Sequence, residues 1–118
     1  MVFGVNHDKT GKTTYFNASF YAADHKYGVK AVTSLDWTGS AANYLPNNPE
    51  VDKLYAYQIA RNCKGEPFCV EIPTGSCPAG IDDGKEGSIT FRAYLEPGTN
   101  TAPDPDTLVA DRILYFHR

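Results

Sequence analysis

The sequence predicts a mostly β protein, a β-sandwich or partly open barrel of about seven antiparallel strands with one or two short helices. Three observations carry this expectation. Apolar and polar residues alternate with a period of two in segment after segment, clusters of Gly, Pro, Asn and Asp separate those segments, and no stretch is long enough to be the crossover helix of a βαβ unit. The same pattern allows one alternative, an α+β roll with residues 36–49 as its helix. With 118 residues and 42% apolar content, the chain suits a single domain spanning 1–118, either whole or excised from a larger protein.

The elements follow in order. In Val2 to His7, Phe3, Val5 and His7 alternate with Val2, Gly4 and Asn6, and the turn-forming residues 8–12 lead into a second alternating run, so the two read as a hairpin. In that second run Phe16, Ala18 and Phe20 share the face expected to be core, while Tyr15, Asn17, Ser19 and Tyr21 share the other. Asp24 to Lys26 is a polar turn, and Tyr27 to Leu35 is a third strand with Val29, Ala31, Thr33 and Leu35 aligned. The period breaks at 36–49, which allows a short helix over Ser40 to Leu45, with Thr38 or Ser40 as N-cap and Pro46 as the stop.

Residues 53–74 are expected to form a hairpin stapled by their own cysteines. If Cys63 faces Cys69 on antiparallel strands, Arg61 faces Glu71 and Ala60 faces Ile72, which places opposite charges opposite each other, and Gly65 and Pro67 supply the bend. Residues 75–87 are loop-like. Ser88 to Glu96 alternates most cleanly, Ile89, Phe91, Ala93 and Leu95 one way and Thr90, Arg92, Tyr94 and Glu96 the other. Asp104 followed by Pro105 reads as the cap and first position of a single helical turn through Val109. Arg112 to His117 reads as a last strand, apolar on both sides from Ile113 to Phe116 and so expected to be covered on both.

Composition excludes some functions. A formal charge of −3, a pI near 5.5 and scattered Lys and Arg argue against nucleic acid, and no apolar run has the length of a membrane span. The first residues lack the charged start and apolar block of a signal peptide. Eight tyrosines among 13% aromatic residues nonetheless give the composition of an extracytoplasmic or secreted β protein. Of the three cysteines, Cys63 and Cys69 are the expected disulfide, leaving Cys77 unpaired; pairing of Cys69 with Cys77 is the alternative.

Known chemical motifs are not matched. Asn6 to Thr13 ends in GKT, but a phosphate loop needs Gly where Asn6 stands and a helix afterwards, so a turn with Gly11 at positive φ is expected. His7, His25 and His117 lie in different segments without metal-ligand spacing and read as surface histidines; no metal or cofactor is expected. Asp82, Asp83 and Glu86 lack the spacing of a calcium loop. Cys77 has no apparent helix N-terminus or paired His beside it, and no spacing selects a carboxylate pair among Glu71, Glu96, Asp36 and Asp111. No catalytic residue is assigned.

What remains is a polar and aromatic face carrying Tyr15, Asn17, Tyr21, Tyr55, Tyr57, Arg92 and Tyr94, with Trp37 in a long loop. Tyr and Trp join a flat apolar ring to a polar edge, which suits sugars, peptides or another copy of the chain. The expected function is a non-catalytic binding module for a carbohydrate or protein partner. Its candidate ligand residues are Trp37, Tyr44, Tyr57, Arg92 and Tyr94, aided by loops 36–49 and 75–87. Two alternatives stand beside it: a structural or homo-oligomeric subunit pairing through Val2 to His7 and Arg112 to His117 as edge strands, and a small hydrolase or isomerase with a carboxylate beside His7 or His117.

Overall fold

Strands β1 (Val2–Val5) and β2 (Phe16–Ala22) lie in different sheets, and this separation sets the architecture. The computed structural model describes residues 1–116. With β3 (Tyr27–Thr33), β4 (Leu54–Ala60), β5 (Cys69–Glu71), β6 (Gly87–Ala93) and β7 (Arg112–Ile113), one sheet has the order β5-β4-β1-β7 and the other β3-β2-β6. These seven strands make the expected two-sheet β-sandwich. Among the described residues, helix is limited to α1 (Ser34–Trp37) and short 3-10 turns at Ser40–Asn43, Val51–Lys53 and Pro105–Thr107.

The expected hairpin of the first two runs is therefore a crossing between sheets. The Asn6 N–H bonds the Lys53 carbonyl at 2.8 Å beside β4, and the Thr14 N–H bonds the Leu95 carbonyl at 2.8 Å beyond β6, so the two ends of the segment are tied to different layers. Its buried polar residues are held from within: the Asn6 amide donates to the Ser34 carbonyl at 3.1 Å and the Thr13 hydroxyl to the Tyr15 carbonyl at 2.8 Å. Gly11 sits at φ 75°, as expected for the turn.

On β2 the period of two holds: Phe16, Ala18, Phe20 and Ala22 are all buried in the core. On β3 it is interrupted, because the register with β2 shifts between Phe20 and Tyr21, where Lys30 and Gly28 become the respective partners. A bulge puts two residues against one and re-aims those beyond it. Val32 pairs with Ala18 and enters the core, and Ala31 and Thr33 share the outer side opposite Ser19 and Asn17 as expected, but Val29, skipped at the bulge, packs against the core, and Leu35, in α1, is 75% exposed. Thr33 ends the strand by capping α1, accepting from the Leu35 N–H, while the Asp36 carboxylate accepts from the Thr33 N–H at 2.7 Å in a reciprocal capping box. The helix expected over Ser40 to Leu45 is the shorter 3-10 turn Ser40–Asn43, entered through Gly39 at φ 85° rather than through a Thr38 or Ser40 cap. The turn expected from Asp104 through Val109 forms but stops at Thr107, with the Asp104 carboxylate capping it by accepting from the Asp106 N–H at 3.0 Å.

Cys63 and Cys69 are joined, with Cα atoms 5.8 Å apart, and Cys77 is free. The strands around them are not a hairpin. β4 and β5 run parallel, with Gln58, Ile59 and Ala60 opposite Cys69, Val70 and Glu71. Residues 61–68 double back beside β4, using positive φ at Lys64, Gly65 and Phe68, so that the chain reverses twice before β5 begins. Arg61 consequently does not face Glu71. Its guanidinium donates to the carbonyls of Ile72, Pro73 and Ile81 at 3.3, 3.1 and 2.7 Å, and Glu71 accepts the Cys63 N–H at 2.9 Å.

The core lies between the sheets and centres on Trp37, which is fully buried. Its indole stacks on Tyr55 of β4 with ring centroids 4.1 Å apart and 12° between planes, and the Phe16 ring of β2 meets it nearly edge-on at 5.3 Å. The Tyr55 hydroxyl donates to the Asp111 carboxylate at the start of β7. Gly4 makes this approach possible, because a Cβ there would stand 2.7 Å from Asp111 Oδ1 and 3.3 Å from the Tyr55 ring. At the C-terminus the expectation of a strand covered on both sides fails: Ile113, Leu114, Tyr115 and Phe116 are 53%, 46%, 80% and 72% exposed.

Trp37→Ala is expected to lower stability by about 3–5 kcal/mol in urea denaturation, as for other large aromatic truncations in packed cores. Opening the Cys63–Cys69 ring by the double Ser substitution is expected to cost only about 2 kcal/mol, because the loop it closes is short.

Candidate functional site

The register of β2 with β6 builds a two-residue-wide ladder on the outer face of the three-stranded sheet. Asn17 pairs with Arg92, Ser19 with Thr90 and Tyr21 with Ser88. Just before the ladder the Tyr94 N–H bonds the Tyr15 carbonyl at 2.9 Å, and their rings meet edge to face at 4.9 Å. The rungs therefore run from an aromatic pair, through an asparagine opposite an arginine and a serine opposite a threonine, to a tyrosine opposite a serine. At about 3.3 Å per residue, the ladder from Tyr15 to Tyr21 is about 20 Å long.

Two groups are fixed in place. Arg92 donates one N–H to the Tyr21 hydroxyl at 2.8 Å and lies 5.9 Å from the centre of that ring, while the ring itself packs over Gly28 of β3. Asn17 is 7% exposed, and its amide donates weakly to the Tyr15 hydroxyl at 3.4 Å. Its Oδ1 has no hydrogen-bond partner among the described residues. Turning the amide over would only exchange which atom is unpaired. A buried acceptor left without a donor costs about 1–3 kcal/mol, so this face carries a built-in demand for a donor.

Of the five ligand residues expected from sequence, only Arg92 and Tyr94 meet on this face. Trp37 is not in a surface loop: with its indole between Phe16 and Tyr55 it is core, and no ligand reaches it without opening the fold. Tyr57 pairs with Val2, on the inner side of the other sheet, and its ring meets Phe68 at 6.4 Å. Tyr55, expected on the wet face, is 1% exposed. Tyr44, half exposed, lines an apolar groove of about 440 Å³ on the outer side of the four-stranded sheet, with Phe3, Val5, Leu54, Val109 and Leu114. The ladder also holds Ser19, Thr90 and Ser88, which carry no aromatic signal; only the β2–β6 register brings them into line.

A second polar cluster lies inside the sandwich. His7, expected at the surface, is 2% exposed, its ring edge-on to Phe16 at 5.5 Å and Nε2 3.2 Å from the Val109 carbonyl. Burial raises the Asp111 carboxyl above the usual carboxylate range, against the lowering effects of the Tyr55 hydrogen bond and the His7 charge. Burial, and next Asp111, push the Tyr55 phenol far above its ordinary value, so it stays protonated as the donor. The His and carboxylate expected of a hydrolase or isomerase thus approach each other, His7 buried against Phe16 and Asp111 half-buried and held by the Tyr55 hydroxyl. His117 lies outside the described residues.

No helix among the described residues is long and apolar enough to cross a membrane. Comparison with protein-family models, curated proteins and solved structures finds no match to this chain.

A carboxyl with a folded-state pKa above its unfolded value binds its proton more tightly in the native protein, so its contribution favours folding below the unfolded pKa and is lost as pH rises through the raised folded value. Asp111→Asn is expected to remove that acid-range dependence, read as the wild-type minus variant difference in unfolding free energy between about pH 3 and 7. Tyr55→Phe is expected to raise the Asp111 pKa further, measured by carboxyl NMR titration, because it deletes a hydrogen bond to the ionised form.

Proposed function

We propose that the chain is a non-catalytic binding module for a carbohydrate, held along the outer ladder of the three-stranded sheet. The observation that carries this reading is the outer ladder itself, in which Asn17 shares a rung with Arg92, the Tyr15–Tyr94 pair stands at one end and the Arg92 guanidinium is held by Tyr21 at the other. A sugar presents hydroxyl donors at short intervals between apolar C–H faces. Its hydroxyls pair with the hydroxyls and amide along the ladder, while tyrosine rings cover the C–H faces. Burial of both kinds of surface on one rigid sheet limits the ordering cost of binding. The Cys63–Cys69 disulfide fits an extracytoplasmic setting, where free glycans and oxidising conditions occur together.

One observation favours a second reading, association of two copies. β7 is the end strand of its sheet, and the segment it begins exposes Ile113, Leu114, Tyr115 and Phe116 next to the apolar groove. An exposed apolar edge is a template for adding a strand, and an identical edge related by a two-fold axis is self-complementary. Of the two edges expected from sequence only this one qualifies, since β1 lies between β4 and β7.

Titration against an oligosaccharide array is expected to find binding that Tyr94→Ala and Asn17→Ala each weaken about tenfold with the unfolding midpoint little changed. Array binding unaffected by both substitutions would remove the ladder as the site. Sedimentation at micromolar to millimolar concentration reads the second reading: dimers that Ile113→Lys disperses support it, and a monomer throughout refutes it.

A further inference from the structure

Beyond its general fitness for sugars, the ladder ends in a local concentration of positive charge. Lys26, Arg92, Tyr21, Ser88, Thr90 and Ala23 line a pocket of about 340 Å³. The chain has 14 acidic and 11 basic residues, yet none of the acidic ones lines this pocket. The described ion pairs join His25 with Asp24, Lys53 with Glu50 and Arg61 with Asp83, so neither Lys26 nor Arg92 is neutralised among the described residues.

Arg92 is already oriented. One of its five N–H donors is spent on the Tyr21 hydroxyl at 2.8 Å, and the others have no protein acceptor among the described residues. A planar guanidinium held by one edge keeps its fork for a planar or tetrahedral oxyanion, and charge-assisted bonds of that kind are the strong ones. Lys26 lies across the pocket in the β2–β3 turn, in the left-handed region at φ 55°, where a side chain is normally disfavoured. The Ser88 and Thr90 hydroxyls add two rotatable donors between the cations. Every polar group around this pocket can donate, and none is anionic.

We infer that the saccharide recognised on this face is acidic, with a carboxylate or sulfate seated between Arg92 and Lys26. This rests on the sheet-face reading above and adds the charge of the ligand to it. Neutral rings of the same chain lie further along the ladder, over Asn17 and the Tyr15–Tyr94 pair, while the anion fixes register at the Tyr21 end.

The test uses the intact protein and matched probes in isothermal titration at low and moderate salt: polygalacturonate oligomers, the same oligomers fully methyl-esterified, dextran sulfate and dextran. The acid form is expected to bind at least about tenfold more tightly than its ester, with a margin that shrinks as salt rises. The dextran sulfate arm tells a sulfate site from a carboxylate site. Arg92→Gln and Lys26→Gln are expected to erase the acid-over-ester margin, whereas Tyr94→Ala weakens acid and ester alike; the unfolding midpoint of each variant reports that the fold is kept. Equal binding of acid and ester overturns the inference and leaves the sheet-face reading standing. Acid binding that survives both Gln substitutions overturns the assignment to this pocket, and binding to none of the four probes overturns the inference outright.

Discussion

The structure depends on one plate of aromatic rings. Trp37 comes from a four-residue helix attached to the end of β3 in one sheet, and it lies flat on Tyr55 of β4 in the other, with Phe16 of β2 edge-on behind it. Ring pairs of this kind contribute about 0.5–1.5 kcal/mol each beyond the area they bury. Position matters more than the sum, because these contacts tie together the two layers, the helix and, through the Tyr55 hydroxyl, the start of β7. Gly4 belongs to the same constraint, since any side chain there would push Asp111 and Tyr55 off the sheet.

The period of two along the chain identified the sandwich and much of its interior, because a strand half in water and half in core has to alternate. It worked best on β2, a central strand with one face packed and the other covered only by polar neighbours. It worked least where backbone geometry rather than side-chain pattern decides. A one-residue bulge in β3, opposite Phe20 and Tyr21 of β2, puts Val29 out of step with Ala31 and Thr33, which strict alternation would align. The loop of residues 61–68 turns back through three positive-φ residues, two of them not glycine, so the Cys63–Cys69 proximity that suggested a hairpin is met by a parallel pair instead. The capping box of Thr33 with Asp36 was present in the sequence as a Thr followed three residues later by an acid, a legible start signal masked by the strand reading that ran over it.

The candidate site was legible in part and for a definable reason. Tyr15, Asn17, Tyr21, Arg92 and Tyr94 carry a polar-aromatic signal along two strands, and the antiparallel register of β2 and β6 sets them side by side. Trp37, Tyr55 and Tyr57 carry the same signal and lie inward, because an aromatic with a polar tip serves a core equally well when the tip finds a partner or the ring a stack. Composition does not separate those cases; only the side of the sheet does. The positive pocket was hidden for another reason, as Lys26 and Arg92 are distant in sequence and line one pocket only because the β2–β3 turn lies at the same end of the sheet as the start of β6.

Alternation along β2 has a consequence for how such a surface can change over generations. Phe16, Ala18 and Phe20 pack into the layer between the sheets, while Asn17, Ser19 and Tyr21, interleaved with them, lie on the outer side, Asn17 and Ser19 covered there by their neighbours. Substitutions at the second set leave the layer between the sheets in place, so under the proposed reading the outer face can change a single rung at a time while the core is kept. A scaffold of this kind separates inheritance of shape from inheritance of specificity within one seven-residue segment.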